Sequence, residues 1–426
     1  MNLRRRKFLQ AIGAAGIAPL ALGGCASNAG SGSAPKVVVV GGGYGGATAA
    51  RYLHLWGGGK VDVTLVEPNA AFVSCPLSNL VLGGSRQIAD VTVSYANLAR
   101  QVTLVRDSAI AIDADKRIVR LRGGGELAYD RLILSPGVDL LYNLVAGLET
   151  AAAQERVLHA WKAGPQTVAL RRQLESMPDG GVFAISIPVA PFRCPPGPYE
   201  RACQAAWYFK RAKPRGKVLI LDGNEDVLSK KALFLKAWGD DYKGIVEYRP
   251  NCVLTEVDVR TSTLKFETAD DVTADVLNVI PPQRAGAIAG QAGVITANDR
   301  WCEVHFLSFE SIRVPGIHVL GDAIQVAPLM PKSGHMANQH AKVAVAAVLA
   351  TFAGLPVDPA PVLNNTCYSF ITDHEAVHVA SVHQYDREKK TLLSVPEAGG
   401  LSPAMNALEG EYGFAWARNI WADALA

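Results

Sequence analysis

The stretch KVVVVGGGYGGATAARYLHLWGGGKVDVTLVE, residues 36–67, decides how the rest of the chain is read. It opens on a fully apolar run, Val37 to Val40, of a length that suits a buried strand. Gly41, Gly43 and Gly46 follow in G-x-G-x-x-G spacing, and an Ala-rich helix is predicted from Ala47 to Leu55. A second strand is expected from Val61 to Val66, ending in the acid Glu67. Each part of this unit has its own task. Gly41 permits a tight turn, Gly43 lets a pyrophosphate approach the backbone, and Gly46 lets the helix pack on the strand. Glu67 stands where both hydroxyls of an adenosine ribose can be accepted. A glycine triplet alone is a weak signal; with both strands and an acid about 20 residues on, it predicts a dinucleotide-binding fold.

A second pattern lies far downstream. Ile317 to Leu320 reads as a strand closed by Gly321-Asp322-Ala323, and a loop with Pro331-Lys332-Ser333-Gly334 leads to a long apolar helix from about Ala337 to Phe352. In flavoproteins with two nucleotide-binding domains, a strand of this kind returns to the first domain. There Asp322 would hold a ribityl hydroxyl, and the helix N-terminus would face the flavin carbonyl where negative charge develops on reduction. The plainer role for Asp322 is a helix or turn cap. Leu132-Ile133-Leu134-Ser135-Pro136-Gly137 resembles the other strand-to-loop crossing of such proteins. The two patterns together point to FAD rather than NAD. They imply an α/β fold of two Rossmann-like domains of the glutathione-reductase type, with a small C-terminal α+β interface domain.

Between the halves, from about Trp161 to Pro281, strands and helices alternate, and KVLILD at 217–222 is a good parallel strand. The layout is that of an NADH module, but its phosphate loop is not. After the apolar run Val182 to Ile187 comes PVAPFRCPPGPY, residues 188–199. Pro188, Pro191, Pro195, Pro196 and Pro198 crowd the place of the glycines and leave only Gly197. Proline offers no N–H to a phosphate, so NAD(P)H is not expected there. Pro198 suits the first turn of a helix from about Tyr199 to Lys210. Glu200, at that helix start, is placed to handle a substrate proton, to favour the helix N-terminus, or to pair with Arg201.

Composition and the N-terminus set the remaining limits. The 426 residues, 19% charged and 49% hydrophobic, describe a globular chain with room for two or three domains. Of the net charge of +3, four positive charges belong to Arg4, Arg5, Arg6 and Lys7, in a segment expected to be removed; about −1 remains, and nucleic acid is not an expected partner. RRRKFLQAIGAAGIAPLALGGCAS, residues 4–27, has a basic start and an apolar stretch too short for a membrane span. Arg5-Arg6-Lys7-Phe8-Leu9 resembles a twin-arginine export signal, which predicts the periplasm. Cys25, after Leu22-Gly23-Gly24, either carries a lipid anchor or lies near an ordinary cleavage site, and Asn28 to Pro35 reads as a tether. None of the seven cysteines falls in a haem-attaching C-x-x-C-H pattern, and the nine histidines form no metal-ligand cluster.

Five further stretches carry a resemblance. FVSCPLSN at 72–79, PFRCPPGPYERA at 191–202, IPPQRAG at 280–286, MPKSG at 330–334 and NTCYS at 365–369 are together similar to the flavoprotein subunit of flavocytochrome c sulfide dehydrogenase. The similarity runs from Lys36 to the Trp-rich end. It implies an FAD joined covalently through Cys75. It also implies a redox disulfide of Cys194 with Cys367 beside the flavin, although each cysteine alone reads as a small buried hydrophobe. Electrons would leave one at a time to a separately encoded c-type cytochrome subunit. The implied reaction is periplasmic oxidation of sulfide to zero-valent sulfur or polysulfide. Cys194, Cys367 and Glu200 are its catalytic candidates, and Lys332 is placed to stabilise the reduced flavin. A sulfide:quinone reductase-like flavoprotein is the nearest rival, against which stand Glu409, Glu411, Arg418 and Asp423 in the tail. A non-catalytic, FAD-containing sulfur carrier is another.

The expected division is 1–34 for export signal and tether, 35–160 and 283–355 for the two parts of the FAD domain, 161–282 for the middle domain, and 356–426 for the interface domain. Cys203, Cys252 and Cys302 are expected to be structural or free. The aromatic tail (Tyr412, Phe414, Trp416, Ile420, Trp421) is expected to pack in the core or to dock the cytochrome.

Overall fold

Four parallel strands begin the fold: β1 (Lys36–Val40), β2 (Asp62–Val66), β3 (Thr103–Val105) and β4 (Arg131–Leu134). The computed structural model describes residues 33–426; Arg4 to Lys7 and Cys25, on which the export and lipid-anchor expectations rest, lie outside the described residues. The strands stand in the order β3-β2-β1-β4, with Val37 opposite Val63 on one side and Arg131 on the other. Val37 to Val40 are all buried, which is why β1 reads as unbroken valine and not as an alternation. Helix α1 (Tyr44–Gly57) makes the crossover to β2 that a parallel pair requires. It starts three residues before Ala47, because the glycine loop itself forms its first turn. Gly41 has φ +96°, and a Cβ on Gly46 would lie 1.8 Å from the Gly41 carbonyl oxygen, so loop and helix meet more closely than any side chain permits. A short helix, α2 (Ser78–Gly83), follows Cys75.

A second parallel sheet comprises β5 (Val182–Ile187), β6 (Lys217–Asp222), β7 (Val246–Arg249) and β8 (Val276–Val279), in the order β7-β6-β5-β8. Helix α3 (Gly197–Ala212) joins β5 to β6, and α4 (Lys231–Asp240) lies between β6 and β7. Pro198 sits in the first turn of α3, where a missing N–H leaves no hydrogen bond unmade. The chain then returns to the first sheet through β9 (Val304–His305), β10 (Glu310–Ser311) and β11 (Ile317–Val319), the last parallel to β4 with Ile317 opposite Leu132. Helix α5 (Gly334–Phe352) packs on α1. The Ser333 hydroxyl accepts the Met336 N–H at 3.0 Å and caps α5, which is why α5 also starts three residues earlier than its apolar pattern.

The last part is an antiparallel sheet of β12 (Val362–Phe370), β13 (Ala376–Asp386), β14 (Thr391–Ser394) and β15 (Gly400–Leu401), with helix α6 (Ala407–Leu425) against it. Asp423 fastens α6 to the first half. Its carboxylate accepts from the Tyr52 hydroxyl (2.6 Å) and Asn338 Nδ2 (2.7 Å), and pairs with Lys342 (2.9 Å). Trp421 Nε1 donates to the Tyr44 hydroxyl at 3.1 Å and Ile420 is buried, so this stretch of the aromatic tail packs inward, whereas Tyr412 is exposed. Among the described residues, no helix is long and apolar enough to cross a membrane.

Candidate active site

One cavity gathers side chains from distant parts of the chain. Gly43 and Tyr44 come from the glycine loop and α1, Cys75 and Asn79 from the segment after β2, and Trp161 from the approach to the middle sheet. Arg193 and Cys194 come from the proline-rich loop, Glu200 and Arg201 from α3, Asp322 and Lys332 from the return to the first sheet, Cys367 from β12 and Trp416 from α6. Of the residues singled out in the sequence, Gly43, Cys75, Cys194, Glu200, Asp322, Lys332 and Cys367 line it, while Gly41, Gly46 and Glu67 do not.

The residues present fit a flavin dinucleotide. Asp322 Oδ1 is buried without a hydrogen-bond partner, an acceptor left for a hydroxyl that the protein does not itself supply. A Cβ on Gly43 would meet no protein atom within 4 Å, so the loop backbone is open to an approaching phosphate at the N-terminus of α1. Ser333, Gly334 and His335, at the start of α5, also line the cavity. Glu67 is more committed than its position predicts. Its Oε2 accepts the Gly42 N–H (2.7 Å), and its Oε1 accepts from Asn69 N (2.8 Å) and Nδ2 (2.6 Å). A ribose would have to share these acceptors. Lys332 is buried; its ammonium donates to the carbonyls of Asp322 (2.9 Å) and Ile324 (2.5 Å) and lies 3.6 Å from the centre of the Trp301 ring. Burial brings its pKa down to about 7.

Cys194 occupies a left-handed backbone position, φ 55°. Its N–H donates to the Lys332 carbonyl (2.8 Å) and its carbonyl accepts from Gly197 N (2.9 Å), so both sides of the peptide are held. Cys194 and Cys367 are free thiols in this structure. Burial pushes both up. Cys367 and Glu200 raise Cys194 further while Arg193 opposes; for Cys367, Lys230 opposes. Arg193 Nη2 donates to the Cys75 sulfur and, at 3.0 Å, to the Trp161 carbonyl. Burial works against the Arg193 charge, but Cys75, Asp322 and Cys194 outweigh it and hold the guanidinium more basic than usual. Arg193 was legible only as the neighbour of Cys194 within PFRCPP. Tyr44, Asn79 and Trp416 were likewise visible only as members of the glycine loop, of FVSCPLSN and of the aromatic tail, and Trp161 carried no signal.

Glu200 and Arg201 correct one reading. Glu200 accepts from the Phe370 N–H (2.9 Å) and Asn79 Nδ2 (3.0 Å), and burial holds its carboxyl above the usual range in spite of these donors. Arg201 does not pair with it. Successive helical residues point about 100° apart, and the Arg201 guanidinium instead reaches Asn79 Oδ1 (3.2 Å), the carbonyls of His159 (2.9 Å) and Ala160 (2.7 Å), and Asn278 Oδ1 (2.7 Å). Cys203, Cys252 and Cys302 are buried away from the cavity. Asp222, the acid that ends β6, is fully buried; it accepts from Tyr199 OH (2.7 Å), Tyr248 OH (3.2 Å), and Asn224 N (3.0 Å) and Nδ2 (2.7 Å). Among the described residues, no group of three or more His, Cys, Asp or Glu side chains is arranged to hold a metal ion.

Three family models match the chain: the central part of the sulfide dehydrogenase [flavocytochrome c] flavoprotein chain at residues 167–281, the flavocytochrome c sulphide dehydrogenase flavin-binding part at 359–425, and pyridine nucleotide-disulphide oxidoreductase at 35–173. The mitochondrial sulfide:quinone oxidoreductase of Dictyostelium discoideum is 24% identical over 298 residues, 67% of this chain and 65% of that protein. The mouse counterpart is likewise covered over 65%, so the chain spans just under two thirds of these curated relatives. The sulfide dehydrogenase [flavocytochrome c] flavoprotein chain of Chlorobaculum thiosulfatiphilum is 59% identical over 46 residues, 11% of this chain and 94% of that sequence. In fold, the chain is similar to the sulfide:quinone oxidoreductase of Aquifex aeolicus, with a TM-score of 0.75 over 92% of both chains at 18% identity. Two of the family models and the 59% match converge: the chain belongs to the flavoprotein-chain family of flavocytochrome c sulfide dehydrogenase.

Proposed function

We propose that this protein oxidises sulfide to zero-valent sulfur or polysulfide in the periplasm, through a Cys194–Cys367 disulfide and an FAD joined to Cys75, and passes electrons to a separate c-type cytochrome subunit. The observation that carries the reading is that Cys194, from the proline-rich loop, and Cys367, from β12, line one cavity with Cys75 and the unpartnered Asp322 Oδ1. Asp322, the glycine loop and the start of α5 would hold the FAD, which when bound accepts two electrons and releases them singly.

The chain's own residues do the sulfur chemistry. A hydrosulfide sulfur bonds to one cysteine sulfur, the cysteine–cysteine bond breaks, and the electron pair leaves on the other sulfur as a thiolate. The proton stays on the new persulfide or passes to Glu200, whose raised carboxyl suits such a transfer. The clamped backbone of Cys194 favours re-closure, because little chain entropy is lost in each cycle. Two features support a donor other than NAD(P)H: prolines stand where phosphate-binding N–H groups belong, and Asp222 is filled by Tyr199, Asn224 and Tyr248. The absence of a haem-attaching motif in the sequence supports a separate cytochrome, and the residues Arg5 to Leu9 support export.

Stoichiometric sulfide should bleach the flavin of the purified protein. Cys194→Ala or Cys367→Ala should each slow sulfide-dependent cytochrome c reduction by about 10²-fold or more, roughly 3 kcal/mol of barrier, with the double variant little worse than either. Near-normal turnover in either single variant, or a peptide map joining Cys194 to Cys203, would sink the pairing. Cys75→Ser should lose the flavin fluorescence that wild type keeps on a denaturing gel. The rival acceptor is a quinone, favoured by the similarity to sulfide:quinone oxidoreductases. Supplying oxidised cytochrome c and a short-chain quinone separately decides between them.

A further inference from the structure

Lys230 is a buried lysine that the reaction above does not use. It is 4% exposed and, among the described residues, has no carboxylate within ion-pair distance. Its ammonium donates instead to the Cys367 carbonyl (2.7 Å) and the Ser369 hydroxyl (2.8 Å). Cys367 and Ser369 lie two apart on β12, so their side chains share one face of the strand, and the ammonium at Ser369 Oγ stands on the face that carries the Cys367 sulfur. The lysine is held there by a left-handed backbone, φ 56°, at the start of α4, a conformation that side-chain-bearing residues avoid unless their surroundings impose it. Burial disfavours the charge of this ammonium, and an anion within reach would favour it.

We propose that Lys230 is a positioning residue whose fixed positive charge directs the opening of the Cys194–Cys367 pair, so that the electron pair departs on Cys367 and the incoming sulfur stays on Cys194. The inference rests on the redox-pair reading above. The step balances without a further reactant. The hydrosulfide sulfur bonds to Cys194 Sγ, the Cys194–Cys367 bond breaks, the electron pair leaves on Cys367 Sγ, and the proton remains on the terminal sulfur of the persulfide. The other charges near this pair agree with the direction. Burial is the main force pulling the Lys230 charge down, and Cys367 is foremost among the groups that hold it up, ahead of Glu200, Cys194 and Glu409. For Cys367, burial is again the main influence; Lys230 opposes it and Glu200 adds to it.

The test reads the thiols and does not require turnover. The full-length holoprotein is reduced and alkylated with iodoacetamide across pH, and each cysteine is followed by peptide mass spectrometry. Lys230→Gln keeps a side-chain donor and removes the charge. It should slow alkylation of Cys367 at neutral pH about tenfold, the thiolate fraction lost when one nearby opposite charge is removed, and move its profile to higher pH, with Cys194 little changed. Lys230→Arg should stay within about threefold of wild type, and it carries the test should the Gln variant lose its flavin or its fold. An unchanged Cys367 profile in Lys230→Gln, or a tenfold loss in Lys230→Arg, overturns the role of the charge. Alkylation of Cys194 falling in place of Cys367 overturns the direction. Failure of sulfide to bleach wild type overturns the redox-pair reading itself, a separate result from any alkylation profile.

Discussion

β1 and β5 hold the same place in two runs of four parallel strands, β3-β2-β1-β4 and β7-β6-β5-β8. Each has its partner strand on one side and a later parallel strand on the other, and each runs into a loop, a helix and a second strand that ends in an acid. Beyond that point they differ. The loop after β1 has glycines, a backbone open at Gly43, and an acid whose partners are backbone and a surface-side asparagine. The loop after β5 has prolines, a clamped cysteine at φ 55°, and an acid sealed by two tyrosines and Asn224. One scaffold thus serves as a nucleotide cradle in the first case and as a rigid mount for sulfur in the second. Topology does not decide which; a few backbone N–H groups and one acid do.

The sharpest test of this contrast is the choice of electron donor. Sulfide should bleach the flavin within seconds, and millimolar NADH should be slower by about 10²-fold or more, roughly 3 kcal/mol of barrier. Rapid reduction by NADH would erase the distinction between the loops.

A smaller effect separates the acids. Asp222→Ala leaves Tyr199, Tyr248 and Asn224 with buried groups unpaired and should cost about 3 kcal/mol of stability in denaturant unfolding, with flavin content unchanged. Glu67→Gln should do the reverse. Stability should change little, while FAD uptake by flavin-free Cys75→Ser protein should weaken about tenfold, or about 1.4 kcal/mol. Equal effects of the two substitutions on flavin uptake would mean that the acids are not differently employed.

The smallest effect concerns Glu200, in the first turn of the helix that follows the proline loop. Burial lifts its carboxyl above the ordinary value of 4.5, so the folded chain holds that proton more tightly than the unfolded one. The corresponding stability is full below about pH 4.5 and is lost as pH rises through the lifted value. Glu200→Gln has no proton to lose, so wild type should lose thermal stability relative to the variant as pH climbs from about 4.5 toward neutrality. Parallel profiles would show that the Phe370 and Asn79 donors, not burial, set its charge.

What was legible in the sequence follows from range. β1, β5, β6 and β11 announce themselves as apolar runs because parallel strands are covered on both faces. Helix starts were read two to three residues late, since α1 and α5 begin in glycine or capped turns that carry no apolar pattern. In the cavity, residues within a conspicuous motif were visible: Gly43, Cys75, Cys194, Asp322, Lys332 and Cys367. Of the roles open to Glu200, pairing with Arg201 is the one the helix geometry excludes, since neighbours along a helix do not face each other. Lys230 was invisible. Its partners, the Cys367 carbonyl and the Ser369 hydroxyl, are remote in the chain, and no local pattern marks a lysine held by a distant strand.

The hydroxyl of Tyr199 filling Asp222 has a consequence for how such a chain can change over generations. Restoring a nicotinamide site would require glycines at several of the positions now held by Pro191, Pro195, Pro196 and Pro198, and also a vacant Asp222. Replacing Tyr199 first takes one of four donors from a buried acid; replacing a proline first loosens the mount of Cys194 and still offers no ribose acceptor. Neither change alone supplies both the phosphate donors and the ribose acceptor. Nicotinamide use is therefore several coordinated substitutions away from this chain, not one.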